Sequence, residues 1–268
     1  MKMKKILAVI LALLMVVTCF AACGKKEETN KNQTKTDMEY VKEKGTLVVG
    51  ITEFEPMDYK DEKGNWIGFD ADMATAFAKY LGVDVKFVEI DWDSKEAELD
   101  GKTLDCVWNG MTLTDEVKSA METSKPYFNN AQVVIVSADK AEQYKTAADC
   151  KELQFAVEAG SAGEKAANEN GFKITQVKDQ ATALQEVAAG TCDAAIIDFL
   201  MALVTIGEGT SYSNLAYTAS LSTEEYGVGF RKGSDLAAEL NKFFSECIAN
   251  GEMQKTAEKY GVQDYLIK

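Results

Sequence analysis

From residue 47 onward, short apolar runs alternate with stretches whose apolar residues recur every three or four positions. The run Leu47-Val48-Val49-Gly50-Ile51 predicts a short buried strand. Gly64 and Asn65 mark a turn, and Asp70 is a natural N-cap. Met73, Phe77 and Leu81, at i, i+4 and i+8, then give the following helix one apolar face, which Gly82 ends. A strand over 83–90, a short helix over 94–99 stopped at Gly101 and a strand over 104–108 come next, before a helix capped by Thr114 that runs toward Met121.

The pattern then starts again. Phe155-Ala156-Val157 reads as a strand, and Ser161 with Glu164 three residues on as a capping box. A strand over 174–177 precedes a helix striped by Ala181, Leu184 and Val187 and ended by Gly190, and 194–197 is another buried strand. Gly101 to Asp105 leads into CVWNG much as Gly190 to Asp193 leads into AAIID. Short apolar strands alternating with helices indicate parallel, doubly wound sheets, here as two lobes of similar architecture. A strand-like segment over 226–231 and a helix striped by Leu236, Leu240, Phe243, Phe244 and Cys247 complete the chain.

The N-terminus has a different pattern. Lys2, Lys4 and Lys5 precede an apolar run over 6–17 that is short for a membrane span. Phe20-Ala21-Ala22-Cys23 follows and looks like a lipoprotein signal, with residues 1–22 removed and lipid attached to Cys23. Phe20 is unusual three residues before the cysteine, and an ordinary secretory signal or an uncleaved anchor is the alternative. Val16-Val17-Thr18-Cys19 is a weaker competing site. Residues 23–37 lack any large apolar side chain and are expected to form a disordered tether.

Composition narrows the chemistry. The formal charge is −14, and −17 once the three signal lysines are gone, which argues against nucleic acid or anionic lipid as a partner. There is no histidine, the commonest general base, and Arg231 is the only arginine. Cys106, Cys150, Cys192 and Cys247 lack metal-site spacing. Two disulfides are conceivable in an exported chain, but Cys106 in a strand and Cys247 on an apolar helix face favour buried thiols.

In open parallel sheets ligands bind beyond the C-terminal strand ends. That rule selects residues 52–55, 109–112, 160–163 and Asp198. Asp198 stands between the apolar runs AAII and FLMALV, where a bare carboxylate is costly unless paired. It either caps the helix that begins at Phe199 or contacts a ligand.

The segment GNWIGFDADMATAFAKYL over 64–81, with VGITEFEP before it and WNGMTLT after it, resembles the amino-acid type of bacterial extracytoplasmic solute-binding protein, family 3, the receptor of an ABC importer. The resemblance runs from about Tyr40 to the C-terminus. It implies an α/β, two-lobed periplasmic-binding-protein fold of type II, each lobe a mainly parallel doubly wound sheet. Residues 38–131 and 222–268 would form lobe 1 and residues 132–221 lobe 2, with crossover strands near 129–132 and 221–226. It further implies a monomeric, lipid-anchored, extracytoplasmic protein without cofactor, metal or catalytic residues, which captures an amino acid or similar molecule and delivers it to a membrane permease. The rivals are a dehydratase-like enzyme on the same fold and a surface interaction protein with a vestigial cleft.

The resemblance also assigns residues. Phe54 and Trp92 match aromatic positions that sandwich the ligand side chain, and Glu53 either faces a cationic ligand group or is plain surface. Asn109, Gly110 and Thr112 match positions that offer carbonyl, amide and hydroxyl groups. Ser161 and the N–H of Ala162 match the carboxylate-facing helix start of lobe 2, and Asp198 matches the aspartate that receives the α-ammonium. Val117 departs from the pattern, because relatives carry there an arginine that clamps the ligand's α-carboxylate. Either backbone N–H groups at Thr112 and Ala162 hold the carboxylate alone, or the ligand lacks one. Losing that charge should cost several kcal/mol, roughly, which favours a non-standard ligand and weak binding of the twenty common amino acids.

Overall fold

The computed structural model describes residues 35–267. The signal, Cys23 and most of the expected tether lie outside them. Thr36 and Asp37, expected in the tether, are already structured. Helix α1 (Asp37–Lys44) opens with a capping box in which Thr36 accepts from the Glu39 N–H and Glu39 accepts from the Thr36 N–H, each at 3.2 Å. Asp37 is also held by the lone arginine, 3.0 Å from Arg231 Nε.

Along the chain follow β1 (Thr46–Ile51), the hairpin β2 (Tyr59–Lys60) and β3 (Trp66–Ile67), α2 (Phe69–Leu81), β4 (Asp84–Glu89), α3 (Lys95–Asp100), β5 (Cys106–Thr112), α4 (Asp115–Ala120), β6 (Glu122–Thr123) and β7 (Phe128–Asn130). The next stretch holds β8 (Gln132–Ser137), β9 (Gln154–Glu158), α5 (Ala162–Glu169), β10 (Lys173–Val177), α6 (Gln180–Ala189), β11 (Ala194–Asp198), α7 (Phe199–Thr205) and β12 (Leu215–Ser220). Last come β13 (Glu224–Phe230), α8 (Leu236–Ala249) and α9 (Glu252–Lys259).

Two sheets organise these elements. The first has the order β4-β1-β5-β13-β6, with β7 also on β13, and the second the order β10-β9-β11-β8-β12. Three strands in each are parallel: β4, β1 and β5, and β10, β9 and β11. The strands beside them are antiparallel, β13 to β5 and β8 to β11, so each sheet is mixed. The chain passes to the second sheet at Ala131 and returns between Ser220 and Glu224. A strand arriving from the other lobe runs against its hosts, because no crossover helix precedes it.

Packing follows the apolar stripes. Leu236, Leu240, Phe243, Phe244 and Cys247 of α8 are all buried, Phe244 against Trp108 of β5 at 5.6 Å between ring centroids. In the second sheet Phe155 stacks on Phe172 at 4.5 Å. Cys106, Cys150, Cys192 and Cys247 are buried and unbridged.

Asp70 departs from its expected role. The helix starts two residues earlier, after Gly68, whose φ of 128° no side chain tolerates well. Asp70 is instead fully buried and accepts from the Gly110 N–H at 2.6 Å and the Tyr127 hydroxyl at 2.8 Å. Burial holds its carboxyl up at about 6, although both hydrogen bonds pull it down.

Candidate functional site

A cavity of about 430 Å³ lies where the C-terminal ends of the parallel strands of both sheets meet. From the first lobe it is lined by Trp92, Lys95, the end of β5 and the start of α4, and from the second by Glu158, the start of α5, Gln180 and Asp198. The lobes touch across it. Lys95 Nζ donates to the Gly160 carbonyl at 3.0 Å, and Lys165 of α5 pairs with Glu116 of α4 at 2.6 Å. Gly160, at φ 72°, lies against Asp93 so closely that a Cβ would come within 2.7 Å of its Cα.

Eight of the residues singled out in the sequence line this cavity: Trp92, Asn109, Gly110, Thr112, Val117, Ser161, Ala162 and Asp198. Asn109, Gly110 and Thr112 lie within β5, which runs four residues further than the apolar run suggested. The Asn109 side chain is tied to Thr52 and Asp58, and the Thr112 hydroxyl donates to Glu224 at 2.9 Å. Gly110 has φ 53°, and a Cβ there would strike the Phe54 ring at 2.4 Å. Val117 sits in the first turn of α4, its N–H donating to Thr114 Oγ1.

Glu53 and Phe54 do not line the cavity. The backbone pairs Phe54 with Asp58, and this tight reversal turns the ring under Gly110, edge-on to Tyr226 at 6.2 Å between centroids and 2% exposed. Glu53 is partly exposed and faces the Lys60 N–H at 3.4 Å.

Helix α5 begins at the cavity, and the N–H groups of a first turn lack intrahelical partners. Ser161 accepts from the Glu164 N–H at 3.0 Å, but the Glu164 carboxylate reaches the Gly160 N–H instead of Ser161, so the expected box is displaced by one residue. Asp198 occupies the N-cap position of α7 without capping it. Its carboxyl accepts from Asn130 Nδ2, the Tyr226 hydroxyl and Gln180 Nε2, each at 2.5 Å. Burial, then the neighbouring Glu224, pushes it up to about 8. Asn130 also donates to Glu224 at 2.6 Å, and Gln132 does so at 2.8 Å, so the residues flanking the first crossover bind the site directly.

Two buried charged residues of the wall were not anticipated. Lys95 opens α3 and is 7% exposed; desolvation lowers its pKa. Its Nζ donates to the Trp92 and Gly160 carbonyls, and a protonated amine has a third donor. Glu158 ends β9 and is 2% exposed. The signal for Glu158 was present, since it ends the apolar run FAV as Asp198 ends AAII. Lys95 carried none, lying among Asp93, Ser94 and Glu96 in a stretch that reads as solvated surface.

Comparison with known proteins places the chain. A family model described as bacterial extracellular solute-binding proteins, family 3, matches residues 47–263. The L-cystine-binding protein TcyJ of Escherichia coli K12 is 32% identical over 82% of this chain and 84% of its own. Among solved structures, ArgBP from T. maritima, as a mutant, gives a TM-score of 0.79 at 31% identity, covering 84% of this chain and 98% of that one. The ancestral amino acid-binding protein AncCDT-1, a precursor of cyclohexadienyl dehydratase, gives 0.76 at 32% identity, covering 83% and 98%.

Proposed function

The chain belongs to the bacterial extracellular solute-binding proteins of family 3, and on that premise we propose that its cleft captures an amino acid or a close derivative and presents it to an ABC permease. The observation that carries this reading is the polarity of the cavity. Asp198 lines it to take the ligand's ammonium, and Lys95 from the first lobe with the start of α5 at Ser161 and Ala162 lines it to take the carboxylate. Lys95 offsets the charge missing at Val117, so common amino acids fall within the ligand class, against the expectation drawn from Val117 alone. The binding reading accords with the relatives, which bind amino acids by name.

The chain would act outside the cell membrane, tethered through lipid on Cys23. A dehydratase-like activity is the second reading, supported by the descent of that enzyme from a precursor similar to this chain. Uptake and turnover assays on the purified protein separate the two. A thermal-shift screen of amino acids, small peptides and amines, followed by calorimetry, tests the binding itself. At least one should bind, and Asp198→Ala should weaken that binding by about 2 kcal/mol or more. Absence of stabilisation by every compound would overturn the proposal, and a loss below about 0.5 kcal/mol would remove Asp198 from the contact.

A further inference from the structure

Glu158 is a second carboxyl in the cavity that an ammonium at Asp198 and a carboxylate at Lys95 leave unused. It ends β9 as Asp198 ends β11, and the two strands are parallel neighbours, paired at Phe155–Ala194 and Ala156–Ala195. The two acids therefore rise from adjacent strand ends, roughly 5 Å apart along the hydrogen-bonding direction. Glu158 is 2% exposed and lines the cavity, and its Oε1 has no hydrogen-bond partner among the described residues. Asp198, by contrast, meets three donors. Lys95 forms no ion pair with Glu158, because its Nζ is directed at two backbone carbonyls.

A buried carboxyl oxygen without a partner is rare in folded proteins and calls for an explanation. A structural role does not supply one, since an apolar residue at the end of this apolar strand would avoid the desolvation cost altogether. We propose that Glu158 forms a second cation subsite, so that the ligand carries, besides the ammonium at Asp198, a further protonated amine or a guanidinium. The inference rests on the cleft being the ligand site. The rest of the wall agrees with it, as six acids and two lysines line the cavity, and one of those lysines is already paired with Glu116.

The charges facing Glu158 set the consequence. They are Asp198 on β11, Asp179 before α6 and Lys95 on α3; Asp179 itself is engaged by Lys178 and by the first turn of α6. Burial first, then the two acids, push Glu158 up to about 8, while a hydrogen bond from the Thr52 side chain and then the charge of Lys95 pull the other way. Without ligand it holds a proton near neutral pH. A cationic nitrogen replaces that proton, whereas a neutral side chain leaves it in place and Oε1 unpaired.

The test is calorimetry on the mature chain with matched pairs, L-arginine against L-citrulline and L-lysine against L-norleucine, near pH 7 in buffers of different ionisation enthalpy. The cationic member of at least one pair should bind about tenfold tighter or more and release more protons than its neutral partner. Glu158→Gln should erase both differences. The wild-type proton release stands as evidence even if that variant fails to fold. Equal affinity within both pairs, or a preference that survives in Glu158→Gln, would overturn the subsite while the binding function stands. No binding of any of the four compounds, together with no hit among other amino acids, would overturn both.

Discussion

A carboxyl group at the end of a buried strand lowers its cost by gathering hydrogen-bond donors or by keeping its proton. Asp198 does both, and Glu158 keeps the proton. This has a sign in stability. In the unfolded chain both ionise near 4, approximately, whereas in the folded chain they do so at about 8. Between those values the folded chain holds more protons, so their contribution falls as pH rises. The ligand-free protein should melt higher near pH 5 than near pH 8, and Asp198→Asn should flatten that slope. Melting that is as pH-dependent in the variant as in the wild type would contradict the assignment. Asp198 was legible because apolar runs flank it on both sides. Its partners Asn130, Gln180 and Tyr226 come from segments far apart in the chain, and no local pattern marks them. Phe54 shows the opposite failure: an aromatic residue after a strand reads the same whether it faces a cleft or turns beneath it.

At the scale of elements, periodicity located the parallel strands, β13 and the helices between them, because each buries one face or one run, but it passed over β2, β3, β6, β7, β8 and β12 and the terminal helices α1 and α9. Helix α2 shows where that reading stops. Its apolar stripe at Met73, Phe77 and Leu81 is buried as expected, yet Asp70 serves β5 and Tyr127 instead of its own helix end. A cap is a local arrangement, while this contact joins residues 40 and 57 positions apart. Asp70→Ala would strand the Gly110 N–H and the Tyr127 hydroxyl in a dry interior. The variant should lose about 2–4 kcal/mol in urea unfolding. A loss under about 0.5 kcal/mol would mean that water replaces both bonds.

At the scale of the molecule, the two-sheet plan followed from alternation, but the return of the chain to the first sheet did not. Strand β13 carries the same kind of apolar signal as its neighbours, and only the family resemblance pointed to its partner. Among the described residues no helix is long and apolar enough to cross a bilayer, and the attachment proposed here is through lipid on Cys23. Cys23→Ala should move the protein from the membrane fraction to the medium with ligand affinity unchanged, and full retention would reject lipid anchoring. The crossings at Ala131 and between Ser220 and Glu224 have one more consequence. Everything between them is one uninterrupted stretch of coding sequence that brings Glu158, Ser161 and Asp198 to the cavity, while the flanking stretches bring Trp92, Lys95 and Val117. A gene exchange with two breakpoints would therefore replace one wall of the pocket as a unit. Ligand preference in such a lineage can be inherited in halves, and the two halves need not share an ancestor.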